Sequence, residues 1–485
     1  MGSEMCIRDR HNDTTIIIRD ENPERKGMGA KQRIYMAEVL YYTVLEIRTD
    51  FQKGRQEDVM ERNDPRYQAY VEILKEELIP AMGCTEPIAL AYAAAKAREV
   101  LGVLPDSVQL QVSGSIIKNV KSVIVPNTGH LKGMEAAVAA GIIAGSAEKE
   151  LEVISEVSEE KKSAIRDYLQ TVPITIEHTE QGHVFDIVVT ERCGQDYARV
   201  RIADYHTNIC RIEKNGTVLY EVPLLDETVQ ENARADRSLL NMQDIWDFAE
   251  TADLRDVADL LERQIRYNNA IAEEGLLGDY GANIGRVLLT TYGNDVSNRA
   301  KAKAAAGSDA RMNGCELPVI INSGSGNQGI TCSVPLIEYA KELHSGKEKL
   351  YRALIISNLV AIHEKTGIGT LSAYCGAVSA GAGAGAGIVY LCGDGYQAAI
   401  HTVVNALAIV SGIVCDGAKA SCAAKIASSV DAALLGYNMY KCNQEFKGGD
   451  GIVMKDIETT IKGIGRLGKD GMRQTNEEII RLMMS

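Results

Sequence analysis

The chain reads as an α+β protein, with N-terminal helices and an antiparallel sheet followed by a mainly helical C-terminal part. Three observations predict this. Short alternating runs recur between Val172 and Val222, separated by Gly182, Gly194 and Asn215-Gly216, as half-buried strands joined by turns would be. From about Gly285 onward almost everything is at helical spacing, apart from one strand-loop-helix unit over Pro318 to Leu343. The length of 485 residues, with 45% hydrophobic and 24% charged, suits two or three domains that bury cores without disulfide or metal staples.

Taken in order, residues 1–64 are charged and lack turn-bounded core patterns apart from an apolar run at Met36 to Ile47. They read as an extension whose very start need not be native. Residues 65–285 form the expected α+β domain. Tyr70, Ile73, Leu74 and Leu78 lie at helical spacing and Gly83 stops that helix, while Thr85 is a good N-cap for a second helix with Pro87 in its first turn. Cys84 is thus expected at the joint between two helices. Strands are expected at Val108 to Val112 and Ser122 to Val125, then a loop Pro126 to His130 and an Ala-rich helix from near Met134. The antiparallel sheet takes Ile174 to Glu177, Val184 to Val189, Tyr197 to Ile202 and Ile209 to Ile212, before Asn241 to Gln264 returns to helical spacing. Residues 286–485 form the helical domain, in which Ala380 to Gly387 alternates Ala and Gly and so permits close backbone packing.

Composition excludes several classes of function. A net charge of −14 repels nucleic acid and anionic lipid. Gln397 to Val414 approaches membrane-span length but contains His401 and Asn405, so a buried helix is the expectation. The first twenty residues carry Arg8, Asp9, Arg10, Asp13 and Arg19 with no apolar h-region, and eleven cysteines then point to a reducing, cytoplasmic setting where thiols are free, metal-bound or catalytic. Further copies of the chain, as a dimer, are the expected protein partner.

Three groups of residues carry chemistry. Cys375, Cys415 and Cys422 form the first. Seven residues of helix would separate Cys415 and Cys422 by about 10 Å, but Asp416-Gly417 allows a turn, with Asp416 as N-cap and Cys422 one or two turns into the following helix. Spacing alone still favours small cysteines filling an Ala/Gly core. Cys84 is the second, because a thiolate just before a helix N-terminus gains from the helix dipole, although Glu86 opposes its ionisation. A loop cysteine without a role is an equal alternative. The third is Asn322 to Gly329, where glycines and the Ser323, Ser325, Asn327 and Gln328 donors suit a carboxylate or phosphate. It ends in no Gly-Lys-Ser/Thr and is not a Walker loop. Asn127, Thr128 and His130 are weaker binding candidates, whereas His363 and His401 lie on apolar helices and read as satisfied core or interface residues.

Taken together, Glu76-Glu77-Leu78 through Gly83-Cys84-Thr85-Glu86-Pro87, Ser113-Gly114-Ser115 with Lys118-Asn119, the Ser323 to Gly329 loop, and Cys375 with Cys415-Asp416-Gly417 to Cys422 resemble the L-cysteine desulfidase family. That family is related to the alpha subunit of iron-sulfur L-serine dehydratases. The resemblance covers about residues 65–485. It implies that Cys375, Cys415 and Cys422 are three ligands of a 4Fe-4S cluster with one iron open to substrate, and that Cys84 is the base in converting L-cysteine to pyruvate, ammonia and hydrogen sulfide. L-Serine deamination is the near alternative. A pyridoxal-phosphate eliminase and a non-enzymatic iron-sulfur sensor are the rivals from other classes.

Overall fold

The computed structural model describes residues 4–8, 15–19, 60–179, 183–224, 234–369 and 372–484. The chain divides into two compact units, Met1–Val59 and Met60–Ser485. In the first, β1 (Glu4–Arg8) and β2 (Thr15–Arg19) pair antiparallel, Glu4 opposite Arg19 and Arg8 opposite Thr15. The apolar run at Met36 to Ile47 lies outside the described residues.

The second unit begins with α1 (Pro65–Glu77), whose N-cap Asp64 accepts from the Arg66 amide and whose Pro65 needs no hydrogen-bond partner in the first turn. Next come β3 (Pro80–Met82), α2 (Thr85–Leu101), β4 (Ser107–Val112), α3 (Gly114–Val120), α4 (Gly133–Ala144) and α5 (Glu159–Thr171). The first two helices are therefore not joined directly. β3 separates them because Pro80–Met82 pairs antiparallel with β10 (Pro318–Ile320), sequence-distant by more than two hundred residues. The expected strand at Ser122 to Val125 is also absent: only Ile124 bridges to Lys132, and Val125 N–H donates to Leu131 O at 2.9 Å to close a tight loop.

A six-stranded sheet follows the order β5-β4-β6-β7-β8-β9, with β5 Ile174–His178, β6 Asp186–Cys193, β7 Asp196–Ala203, β8 Ile209–Lys214 and β9 Thr217–Glu221. All pairs are antiparallel except β4–β5. That pair is parallel because the chain returns from β4 to β5 through helices, as a parallel connection requires. Val108, Leu110, Ile187, Val189, Val200 and Ile202 alternate onto the face buried under α2.

The remainder is helical: α6 (Met242–Thr251), α7 (Ala258–Leu277), α8 (Ile284–Tyr292), α9 (Val296–Met312), then β10 and α10 (Gly326–Glu342), α11 (Lys347–Ile368), α12 (Gly376–Cys392), α13 (Tyr396–Val410), α14 (Cys422–Lys441), α15 (Ile457–Arg466) and α16 (Arg473–Met484). The Ala/Gly helix α12 packs against α10, α11, α13 and α14. A Cβ on Gly383 would stand 2.4 Å from Ser357 O of α11, so the two backbones are in near contact. One apolar core runs from Tyr67 to Ile464, through both stretches that the sequence separates near residue 285. Among the described residues no helix is long and apolar enough to cross a membrane, and the apolar run from Gln397 is the buried helix α13.

Candidate active site

A cavity enclosing about 820 Å³ of space, its mouth included, opens where these elements meet. Its wall holds Cys84 and Glu86 from the start of α2, Lys118 and Asn119 from α3, and Ser323, Ser325, Asn327 and Gln328 from the loop entering α10. Cys375, Cys415 and Cys422 complete it, together with His206, Arg311 and Lys365.

Cys84 is itself the N-cap of α2, and Thr85 is the first helical residue. The pairing of β3 with β10 carries Cys84 to the α10 loop, where Thr85 Oγ1 donates to Gly324 O at 3.1 Å. Cys84 is 3% exposed and its thiol donates to Glu86 Oε2 at 3.1 Å. Burial, then the Glu86 charge, pushes the thiol well above its ordinary pKa, outweighing Arg311 and reversing the ionisation expected from the helix end. Burial alone would raise Glu86 too, but His206 and the Cys84 thiol bring it down to about 2. Asn119 Nδ2 donates to Glu86 Oε1 at 2.9 Å, and His206 Nε2 stands 4.0 Å from the same oxygen. Phe185 meets the His206 ring edge-on at 4.7 Å, which helps hold it at the cavity wall.

The three other cysteines come from two chain crossings. Cys375 is the N-cap of α12, with its amide donating to Ile413 O at 3.1 Å, and the Cys415 amide donates to Ala373 O at 2.5 Å. Tyr374 and Val414 thus form an isolated bridge that sets Cys375 beside Cys415. Cys422 is the first residue of α14, capped by Ser421, and not a turn or two inside a helix capped by Asp416. Asp416 pairs instead with Lys419 and Lys425, because the turn at Gly417 (φ +91°) is followed by further turns before the helix starts. A Cβ on Gly417 would lie 2.0 Å from Lys118 O, so this turn supports α3 directly. Burial, followed by the neighbouring Cys415, raises Cys375 to about 12, and burial likewise raises Cys422. Burial lowers Lys365 to about 8 and lowers Lys118, while the cysteines facing them act the other way. Among the described residues no three His, Cys, Asp or Glu side chains are gathered tightly enough for a single metal ion.

The α10 loop turns through Ser323 (φ +48°) and Gly324 (φ +74°), and Asn322 bridges to Ser325 before the helix begins. Asn327 Oδ1 accepts from Arg311 Nη1 at 3.1 Å, and Gln328 Nε2 donates to Ser323 O at 3.4 Å. Asn127, Thr128 and His130 are not among the cavity-lining residues. Asn127 Nδ2 donates to Ile154 O at 2.8 Å, Thr128 Oγ1 donates to Val125 O at 2.7 Å, and His130 is exposed. His363 pairs with Glu458 at 2.9 Å and His401 with Glu445 at 2.6 Å, away from the cavity.

His206, Arg311 and Lys365 were not singled out by the sequence reading. Lys365 left a signal, since His363-Glu364-Lys365 interrupts an apolar helix. Arg311 ends an Ala-rich helix and His206 sits in the β7–β8 connection, where nothing local distinguishes them.

The family described as serine dehydratase alpha chain matches residues 148–481. The chain belongs to this family. The matched span holds the α10 loop, Arg311, Lys365 and the three cysteines, whereas Cys84 and Lys118 precede it. The chain is also 61% identical over 426 residues to a UPF0597 protein of Desulfitobacterium hafniense, covering 88% of this chain and 99% of that one. UPF0597 proteins of Lachnoclostridium phytofermentans (52%, covering 86% of this chain and 100% of the relative) and Treponema denticola (46%, covering 88% and 100%) are similar over the same extent. The expected relationship to the serine dehydratase alpha chain is thus borne out.

Proposed function

We propose that this serine dehydratase-like protein is a carbon–sulfur lyase, converting L-cysteine and water to pyruvate, ammonia and hydrogen sulfide. L-Serine deamination to pyruvate and ammonia is the alternative. One observation carries the reading: Cys84, the Ser323–Gln328 donors and Cys375, Cys415 and Cys422 line a single cavity although they come from distant stretches.

The resident cofactor on this reading is a 4Fe-4S cluster held by Cys375, Cys415 and Cys422. The donor set fits it, since the three thiols feel one another's charge and the buried Lys118 and Lys365 face them with compensating positive charge. A group several irons across spreads its ligands more widely than one ion does, which is compatible with the lack of a single-ion grouping. When bound with one iron lacking a protein ligand, the cluster supplies a Lewis acid for the substrate β-sulfur or β-hydroxyl.

The chain's own residues do the rest. Ser323, Ser325, Asn327 and Gln328 orient the substrate through donors at the positive end of α10. Cys84 Sγ takes the Cα proton. To do so it must first release its own to solvent, a step that the nearby Arg311 charge favours and the Glu86 charge opposes. Loss of the Cα proton and the β-thiolate leaves 2-aminoacrylate, which tautomerises to the imine and hydrolyses to pyruvate and ammonia. The thiolate takes up a proton and departs as hydrogen sulfide.

Iron and acid-labile sulfide, measured beside hydrogen sulfide production on anaerobically purified protein, test this. Cys84→Ser should keep its iron and lose turnover by about 10²-fold or more, whereas Cys375→Ser should lose iron. Near-normal hydrogen sulfide production by iron-replete Cys84→Ser protein would overturn the role of Cys84. Full turnover by iron-free protein would overturn the cofactor. Lys365 in the cavity wall, with the loop entering α10, favours a pyridoxal-phosphate eliminase as the second reading. A phosphopyridoxyl group on Lys365 after borohydride reduction would establish that alternative.

A further inference from the structure

Arg311 carries a permanent positive charge at the end of α9, yet its side chain lies in the cavity wall and the residue is only 2% exposed. Among the described residues its side chain makes one hydrogen bond, from Nη1 to the neutral amide oxygen of Asn327 at 3.1 Å. Among the described residues Nε and Nη2 have no partner and no carboxylate forms an ion pair with this guanidinium. A buried charge of this kind is costly unless an opposite charge and hydrogen bonds satisfy it. The unpartnered atoms are also the right pair. Nε and Nη2 form one edge of the planar fork, the edge that holds a carboxylate by two parallel bonds.

A second observation points the same way. The 17-residue helix α10 begins at Gly326, beside this guanidinium, and Ser325 makes no side-chain capping bond to its first turn. The helix therefore presents free N–H groups and its positive end at the same place. Gly326 makes the approach possible, since a Cβ there would stand 2.3 Å from Arg311 Nε. The same wall holds Gln328 Oε1, buried without a donor among the described residues, and the Glu86 carboxylate, whose pKa is brought down to about 2. The wall thus offers both a cationic fork and hydrogen-bond acceptors, the two kinds of group that an amino-acid zwitterion needs. Thr85, next to Cys84, donates to Gly324 O of the loop entering α10 at 3.1 Å, so a carboxylate on Arg311 would share its cavity with the proposed base.

We propose that Arg311 is the carboxylate-binding residue of this cavity, selecting free α-amino acids and turning their Cα toward Cys84. This rests on the proposed function and names the group that recognises its substrate class. L-Alanine is a suitable probe because it has the carboxylate and ammonium but no β-leaving group. Its binding therefore reads the subsite without requiring elimination, and the subsite can succeed or fail apart from the reaction.

The experiment is calorimetric titration of the full-length, anaerobically purified protein with L-alanine and with L-alaninamide, which lacks the carboxylate. Wild-type protein should bind L-alanine at least tenfold more tightly than L-alaninamide. Arg311→Met should erase that preference, and Arg311→Lys, which keeps the charge but loses the fork, should fall between them. Asn327→Asp offers a control of nearly unchanged shape in case Arg311→Met does not fold. Its carboxylate would neutralise the guanidinium from the Asn327 position and should lower L-alanine affinity by a similar factor. The proposal is overturned by equal binding of the two probes to wild type, by no measurable L-alanine binding, or by folded Arg311→Met or Asn327→Asp protein binding L-alanine within twofold of wild type.

Discussion

Glu86 ties the chemistry of the cavity to the stability of the fold, and Glu86→Gln makes that link measurable. The carboxyl is 8% exposed, accepts hydrogen bonds from Asn119 and Cys84, and has its pKa brought from 4.5 to about 2 by His206 and Cys84 against the effect of burial. A folded pKa below the unfolded one means that the ionised group stabilises the fold. The contribution is fully present above about pH 4.5 and is lost as pH falls toward 2. At about 1.4 kcal/mol per unit the whole contribution is about 3 kcal/mol, of which about 2 kcal/mol should be gone by pH 3. Urea unfolding of wild type and Glu86→Gln from pH 7 to pH 3 isolates it, because every other carboxyl titrates in both proteins. Wild type should lose about 2 kcal/mol more than the variant over that range. Equal losses would refute the electrostatic account of Glu86. The same variant removes the charge that helps hold the Cys84 thiol protonated, so its alkylation at neutral pH should accelerate.

Gly383→Ala should destabilise the helical half by about 1–3 kcal/mol, seen as a lower urea midpoint with an unchanged slope, because its Cβ would press on Ser357 O. Gly417→Ala must hold a left-handed backbone and collides with Lys118 O, so it should lower stability by about 1–3 kcal/mol and reduce iron content, measured by metal analysis, more than Gly383→Ala does. Cys415→Ser and Cys422→Ser should each lower iron and acid-labile sulfide together. Loss of sulfide turnover with both contents unchanged would remove these cysteines as ligands.

Much of this was legible in the sequence because it is local. Alternation at Val108, Leu110 and Val112 marks a strand with one buried face, and Asn215-Gly216 marks the turn between β8 and β9. The Ala/Gly alternation from Ala380 signals close helix packing, since small side chains leave no other way to fill the space. Capping was less legible. Cys84, Ser421 and Cys375 occupy cap positions without the side-chain bonds that make a cap recognisable, and the Asp416-Gly417 turn mimics a helix start that comes five residues later.

By itself, then, the sequence determined the α+β class, the free-thiol chemistry and the stretches from which a site could be built, because periodicity, turn residues and composition act over a few residues. Tertiary structure alone decided which of those stretches meet. The pairing of Pro80–Met82 with Pro318–Ile320 draws Cys84 to the α10 loop, and the bridge between Tyr374 and Val414 draws Cys375 to Cys415. It also reversed the expected ionisation of Cys84, since desolvation and the Glu86 charge outweigh the helix end, and buried Arg311 without a carboxylate partner among the described residues. Burial and charge at these positions are set by neighbours tens to hundreds of residues away, so no local pattern could have carried them.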